Sequence, residues 1–326
     1  MKCIIYPDNA VRPLPFYLAT EEYVAGHFPS GEYLFAWRVN PTVICGRHQV
    51  MSLEVNLQYC REHGIDVVRR KSGGGCVYAD LNNVMFSYIA PSQSVERSFA
   101  VFTDKICRML RSLGIKAEVS GRNDIEVNGQ KISGNAMYAL LDRSIVHGTM
   151  LVDADFRTMS QSITPSKAKL VSKGVKSVQS RVTDLHTCGL KMSCDEFVDF
   201  ALQYLCDEKP VQLSDSQLSE ISEIMRTYYA PEFYNDHVIK KQTSIRKPKL
   251  GELSLSLDIG GDGTIYDVHL SGDFMSAGDA ESAMREALRG CRLKRDSVSN
   301  AITDKKISDY IIGLTDSELI DLILNN

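Results

Sequence analysis

The sequence has no apolar run near the roughly 20 residues that a membrane-spanning helix requires, which argues against a helical span. Its start, Met1-Lys2-Cys3-Ile4-Ile5-Tyr6-Pro7, is too short in its apolar part for a signal peptide and reads as a first strand. No CxxC pair occurs. The nine cysteines, at 3, 45, 60, 76, 107, 188, 194, 206 and 291, are scattered, which excludes a zinc cluster and a disulfide framework. An odd count without a secretory signal fits a reducing compartment, so a cytoplasmic location is expected. Also missing are Gly-x-Ser-x-Gly, His-Glu-x-x-His, the Rossmann glycine pattern and the Walker Gly-Lys-Ser/Thr. Their absence removes the chemistries those motifs serve. The net charge is only −4, so no global basic field draws the chain to nucleic acid or acidic membrane. Internal repeats and low-complexity segments are absent, and Trp37 is the only tryptophan.

What is present is the composition of a soluble globular protein, 44% hydrophobic and 24% charged. A length of 326 residues suggests two domains. The stretch with most to explain is Arg69-Arg70-Lys71-Ser72-Gly73-Gly74-Gly75-Cys76-Val77-Tyr78, where three cations run into a serine and three glycines. Residues 65–68 before it and 77–78 after it read as core strands, followed by a turn at 81–83 and a strand at 84–89. Pro15 in the first turn and the apolar spacing predict an amphipathic helix over 14–28. Strands follow at 33–39 and 42–46, then a short helix over 55–63 ended by Gly64. The longest helical pattern spans 94–113. Asn128-Gly129 between alternating segments signals a type I′ hairpin, which sets Asp124 and Lys131 roughly opposite each other. A strand over 144–152 holds His147. Ser193 and Glu196 form a capping-box pattern, and 214–229 reads as a helix closed by Pro231. The polar, basic stretch 236–250 is the best linker. Strands at 253–257 and 265–270 and helices at 281–288 and 317–324 then make a small α+β domain.

Four stretches carry chemical possibilities, each beside a plainer reading. Glycine N–H groups at 73–75 suit phosphate or carboxylate oxygens, with Arg70 forking onto the same anion; otherwise the stretch is a hairpin turn. Asp124 suits Mg²⁺ beside a phosphate, and Lys131 can neutralise charge on a reacting carboxylate or phosphorus; otherwise the hairpin is a solvated surface feature. His147 is either catalytic or a hydrogen-bonded core histidine. The basic stretch 166–181 is a flap over a nucleotide or a solvated loop. Cys76 is a nucleophile or a small packing residue. Phosphate neutralisation without a dedicated nucleophile is what nucleotidyl transfer onto a carboxylate needs, because positioning and electrostatics supply most of that catalysis.

Four motifs, taken together, resemble the lipoate–protein ligase A family in its own order and spacing. They are Arg-Arg-x-Ser-Gly-Gly-Gly-x-Val-Tyr-x-Asp at 69–80, Gly-Arg-Asn-Asp-Ile…Lys-Ile-Ser-Gly-Asn-Ala at 121–136, His-Gly-Thr-Met-Leu at 147–151, and Ser-Lys-Gly-Val-Lys-Ser-Val-x-Ser-Arg-Val-Thr-Asp-Leu at 172–185. The likeness covers about residues 1–235, and the tail resembles that family's accessory domain. It implies an α+β fold: a mixed-sheet, biotin/lipoate-ligase-like catalytic domain over 1–240 and a small α+β domain over 250–326. It implies activation of lipoate by Mg·ATP to lipoyl-AMP with release of pyrophosphate. The lipoyl group then passes to one lysine of an apo carrier domain, on 2-oxoacid dehydrogenase E2 subunits or the glycine-cleavage H protein. By the same resemblance Lys131 is catalytic and Asp124 serves the metal. Arg70, Ser72, Gly73, Gly74, Gly75, Cys76, Val77, Tyr78, Asn123, Asp124, Lys131, His147, Gly148, Lys173 and Lys176 bind ATP and the adenylate, with 166–181 as the adenylate-binding loop. Cys76 stands where the family usually has alanine, and the family's tryptophan near the linker is missing. Two rivals remain at this point: an octanoyl or lipoyl transferase acting through a cysteine thioester, and a non-catalytic lipoate- or adenylate-binding module. A monomer is expected.

Overall fold

A computed structural model describes residues 1–121, 123–163, 181–234, 243–247 and 249–325. The chain divides into two compact units. The first holds Met1–Cys45, Ser52–Arg70 and Cys76–Tyr234; the second holds Gly46–Met51, Lys71–Gly75 and Asn235–Asn326.

The strands of the first unit are β1 (Lys2–Ile5), β2 (Tyr33–Trp37), β3 (Thr42–Cys45), β4 (Asp66–Arg69), β5 (Val77–Ala79), β6 (Asn83–Pro91), β7 (Ala117–Ser120), β8 (Asp124–Val127), β9 (Gln130–Leu140), β10 (Arg143–Leu151) and β11 (Val211–Gln212). Eight of them form one mixed sheet in the order β11-β1-β2-β6-β10-β9-β8-β7. β11, β1 and β2 run parallel; every other neighbour is antiparallel. A three-stranded sheet, β4-β3-β5, stands apart. There β3 pairs parallel with β4 and antiparallel with β5. The strands flanking the glycine stretch are therefore not neighbours, and the hairpin-turn reading fails. The chain has to cross the Cys45 end of β3 to get from one side of it to the other.

Helix α1 (Leu14–His27) starts with proline in its first turn, as expected. It is not amphipathic, however: eleven of its 14 residues are buried, including Thr20 and Glu21. A helix apolar nearly all round belongs inside a core. Phe16, Tyr17, Leu18, Val24 and Ala25 pack with Phe35, Trp37, Ile89 and Ile145 of the sheet in one cluster. Glu21 is tolerated there because its acceptors are satisfied. Ser87 Oγ donates to Oε1 at 2.6 Å, Tyr138 OH to Oε2 at 3.3 Å, and His147 Nδ1 to Oε1 at 2.9 Å. Trp37 Nε1 donates in turn to Ser87 Oγ at 2.9 Å. Glu21→Ala leaves these donors without their acceptor, and each buried donor left unsatisfied is expected to cost about 1–3 kcal/mol. Urea denaturation monitored by circular dichroism measures this, with Glu21→Gln losing less.

Further helices of the first unit are capped by side chains at their N-termini. α2 (Leu57–Glu62) is capped by Asn56, α3 (Val95–Ser112) by Ser94, and α4 (Phe156–Ser162) by Asp155. α5 (Cys194–Leu205) carries the full Ser193/Glu196 capping box, and α6 (Asp215–Arg226) a second one from Ser214 and Gln217. Pro231 does not close a helix but starts a short one, Pro231–Tyr234.

In the second unit, β12 (Thr243–Lys247), β13 (Gly251–Ile259) and β14 (Ile265–Gly272) form an antiparallel sheet in that order. Helices α7 (Ala280–Leu288), α8 (Arg295–Asp304) and α9 (Asp316–Leu324) close a core of leucines and isoleucines. β12 lies inside the stretch read as linker. It is an edge strand, paired on one side only, so its polar sequence is tolerated. No helix among the described residues is long and apolar enough to cross a membrane.

Candidate active site

The hairpin of β8 and β9 holds the best-defined chemical group. Asn128 (φ 52°) and Gly129 (φ 75°) both take the left-handed φ that a type I′ turn demands. Asp124 and Lys131 are not opposed as the turn alone suggested. Asp124 pairs with Gly134 and Lys131 with Glu126, because the register shifts between Ile125 and Glu126. The side chains meet all the same: Lys131 Nζ lies 2.8 Å from Asp124 Oδ1, with the two side chains 31% and 24% exposed. Gly134 makes this possible. A Cβ there would stand 2.5 Å from Lys131 Nζ and 2.7 Å from its Cε. The lysine thus lies along the space that a missing side chain leaves. Gly134 lies in the Lys-Ile-Ser-Gly-Asn-Ala motif, which by itself gives it no role.

Strand register shows what surrounds this pair. Asp124, Gly134, Thr149, Met85 and Trp37 align across β8, β9, β10, β6 and β2. The next row on the same face, Ala136, His147, Ser87 and Phe35, lies deeper. His147 is therefore a buried core histidine held by Glu21, and Thr149 is the residue beside Gly134. Thr149 belongs to the His-Gly-Thr-Met-Leu motif, which by itself gives it no role. Gly148 faces the other side, where a Cβ would overlap Asn135 Oδ1 at 1.8 Å. Asn135 Nδ2 donates to the Asn123 carbonyl at 2.7 Å, and Asn123 Nδ2 to the Asn135 carbonyl at 2.5 Å. Asn123, Asn135 and Gly148 accordingly fix the hairpin end that carries Asp124.

The backbone of Lys131 is tied as well. Its carbonyl accepts from Thr183 N–H at 2.9 Å, and Lys131 bridges Val182 in parallel. The chain leaving the basic stretch is thereby anchored at the catalytic candidate. The stretch 164–180, with Lys173 and Lys176, lies outside the described residues, as does Arg122.

The glycine stretch holds its residues differently from an open anion cradle. In the first unit Arg70 is buried. Its N–H donates to the Cys45 carbonyl at 2.9 Å, and its guanidinium to the Ile44 carbonyl at 3.1 Å. Burial lowers its pKa below the usual arginine value. Tyr78 is buried opposite Val43, and burial with Asp80 nearby pushes its phenol up. Val77 and Cys76 are half-buried. In the second unit Gly74 N–H donates to the Phe274 carbonyl at 3.0 Å, and a Cβ on Gly73 would stand 2.3 Å from that oxygen. Ser72 is fully buried, and its carbonyl accepts from Arg47 N–H at 2.9 Å. Glycine at 73 is thus demanded by close backbone approach, and an anion at the Gly74 N–H has to displace a carbonyl. Among the described residues no group of three or more His, Cys, Asp or Glu side chains is placed to hold a metal.

A family model described as the lipoyl protein ligase A/B catalytic domain matches residues 13–206, which include β8, β9, β10 and Lys131. The chain belongs to the lipoyl protein ligase family. A second model, the bacterial lipoate protein ligase C-terminus, matches residues 240–323. The chain is 34% identical over 324 residues to the lipoate-protein ligase LplJ of Bacillus subtilis, covering 94% of this chain and 95% of that protein. Among solved structures, the fold matches P. falciparum LipL1 in complex with lipoate at a TM-score of 0.78 and 18% identity, over 100% of this chain and 99% of the other. It also matches a Thermoplasma acidophilum bi-partite lipoate protein ligase, from an archaeal lipoylation system that includes an E2 lipoyl domain, at a TM-score of 0.64 and 25% identity. That match covers 74% of this chain and 98% of the other.

Proposed function

We propose that this chain is an ATP-dependent lipoate–protein ligase. It activates lipoate to lipoyl-AMP, releases pyrophosphate, and transfers the lipoyl group to a lysine of apo carrier domains, such as those of E2 subunits or the H protein. The observation that carries this reading is Lys131, a half-exposed cation held by Asp124 over Gly134 in a chain of this family.

In the first step a lipoate carboxylate oxygen attacks the α-phosphorus of ATP, and the bond to pyrophosphate breaks. Negative charge grows on the phosphoryl oxygens, and a cation fixed beforehand lowers that barrier without reorganising. Asp124 fixes it by limiting the lysine's rotamers. In the second step the carrier's lysine amine attacks the acyl carbonyl and AMP leaves, so the chain itself needs no nucleophile. The glycine stretch from Ser72 to Tyr78, Asn123, Lys173 and Lys176 are proposed to line the nucleotide and adenylate, while Arg70, His147 and Gly148 support that lining from behind. Asp124 would be the protein ligand of Mg²⁺, which commonly takes one or two carboxylates plus substrate phosphates. Such an ion would offset phosphate charge. A single carboxylate fits that mode, with Lys131 as its present partner.

The thioester route fits less well. Its cysteine would be Cys76, whose thiol is engaged as a donor to the Cys45 sulfur at 3.4 Å rather than standing alone beside an acyl group. Pyrophosphate release from ATP separates the readings. The ligase releases it only when lipoate is added, whereas a binding module or a transferase gives none.

A further inference from the structure

Cys45 and Cys76 stand with their sulfurs 3.4 Å apart, the Cys76 thiol donating to the Cys45 sulfur. All nine cysteines are thiols. Register brings these two together. β3 and β5 are antiparallel with Ile44 opposite Val77, so one step further sets Cys45 opposite Cys76. Directly opposed residues in such a pair have Cα atoms about 4.5–5.5 Å apart, inside the roughly 4.4–6.8 Å that a disulfide spans. The sulfurs need to approach by only about 1.4 Å.

The surroundings favour reaction. Cys76 and the Arg69 and Arg70 guanidiniums hold the Cys45 thiol below its usual pKa. Thiolate character is what reacts. Cys45 is buried, while Cys76 is partly exposed.

We propose that Cys45 and Cys76 are a redox-sensitive dithiol, closed to a disulfide by a hydroperoxide, and that the disulfide holds the glycine stretch in a form that supports little catalysis. The Cys45 thiolate attacks a peroxide oxygen: an S–O bond forms, the O–O bond breaks, and water leaves after protonation. The Cys76 thiol then attacks the sulfenic sulfur: the S–S bond forms, the S–O bond breaks, and a second water leaves. Two thiols and one hydrogen peroxide give one disulfide and two waters, with two electrons passing from sulfur to oxygen. The effect on the stretch follows from its anchors. Arg70 already hangs from the Ile44 and Cys45 carbonyls. Binding Cys76 covalently to Cys45 draws the start of β5 toward β3 and fixes Cys76 and Val77, which the ligase reading sets against the adenylate, out of their reduced positions. This last consequence rests on the ligase reading; the bond itself does not.

The full-length protein is treated with stoichiometric hydrogen peroxide, digested without reduction and mapped by mass spectrometry, while lipoate-dependent pyrophosphate release is followed in parallel. A peptide joining Cys45 to Cys76, lighter by two hydrogens, is expected. Activity should fall at least about tenfold, since misplacing a site group by about 1 Å costs on the order of a hundredfold, and dithiothreitol should restore it. Cys45→Ala should keep its basal activity and resist the oxidant. The proposal is overturned if no linked peptide forms, if the linkage joins only other cysteines, or if Cys45→Ala is inactivated as the wild type is. A linked peptide with unchanged activity overturns the switch. A linked peptide in a protein with no ligase activity before oxidation counts against the ligase reading alone.

Discussion

Lys131→Ala is expected to lower lipoate-dependent pyrophosphate release by about a thousandfold, the upper part of the range seen when one group that stabilises developing charge is removed. Stability should hardly change. The Lys131–Asp124 pair is partly exposed, and such pairs contribute about 0–1 kcal/mol. The two effects are thus separable: stopped-flow or coupled pyrophosphate assays read the first, thermal unfolding the second. An unfolded variant would tell nothing of the chemistry, but a folded variant with normal release would remove Lys131 from the mechanism.

Gly134→Ala is expected to act through the same lysine without touching it in sequence. The added methyl would overlap Lys131 Nζ and Cε. Both atoms are the far end of a flexible side chain, so the lysine swings away at little cost in stability. A catalytic group moved by about 1 Å loses on the order of a hundredfold in rate. The expected result is therefore a fall of about a hundredfold in turnover, with unfolding within about 1 kcal/mol of the wild type. A variant with full activity would show that the lysine does not need its present place over Gly134.

These two positions show what the sequence reveals and what it hides. The Asn128-Gly129 turn was legible because both residues need positive φ, and from it the meeting of Asp124 with Lys131. The shift at Ile125 and Glu126 was not legible, since a bulge depends on pairing rather than on composition. Gly134 looked like one glycine among many; only the path of the lysine across it gives it a reason. His147 was open between core and catalysis. The structure buries it against Glu21, 126 residues away in sequence. A carboxylate in a buried helix is nearly impossible to anticipate from apolar spacing, which is also why α1 read as amphipathic. The glycine stretch was visible as a feature, but β4 and β5 pair through β3, and no local signal reports that topology. β12 was hidden by its polarity, which an edge strand permits. Cysteine spacing along the chain gave no hint that Cys45 and Cys76 meet, because their contact is a matter of register.

The central claim is most directly tested by weighing a carrier. Purified protein is incubated with ATP, Mg²⁺, lipoate and an apo lipoyl domain, and the domain is measured by intact-mass spectrometry. The account predicts a gain of one lipoyl group on a single lysine, dependent on both ATP and lipoate and lost in Lys131→Ala. A carrier whose mass stays unchanged with every component present would contradict it.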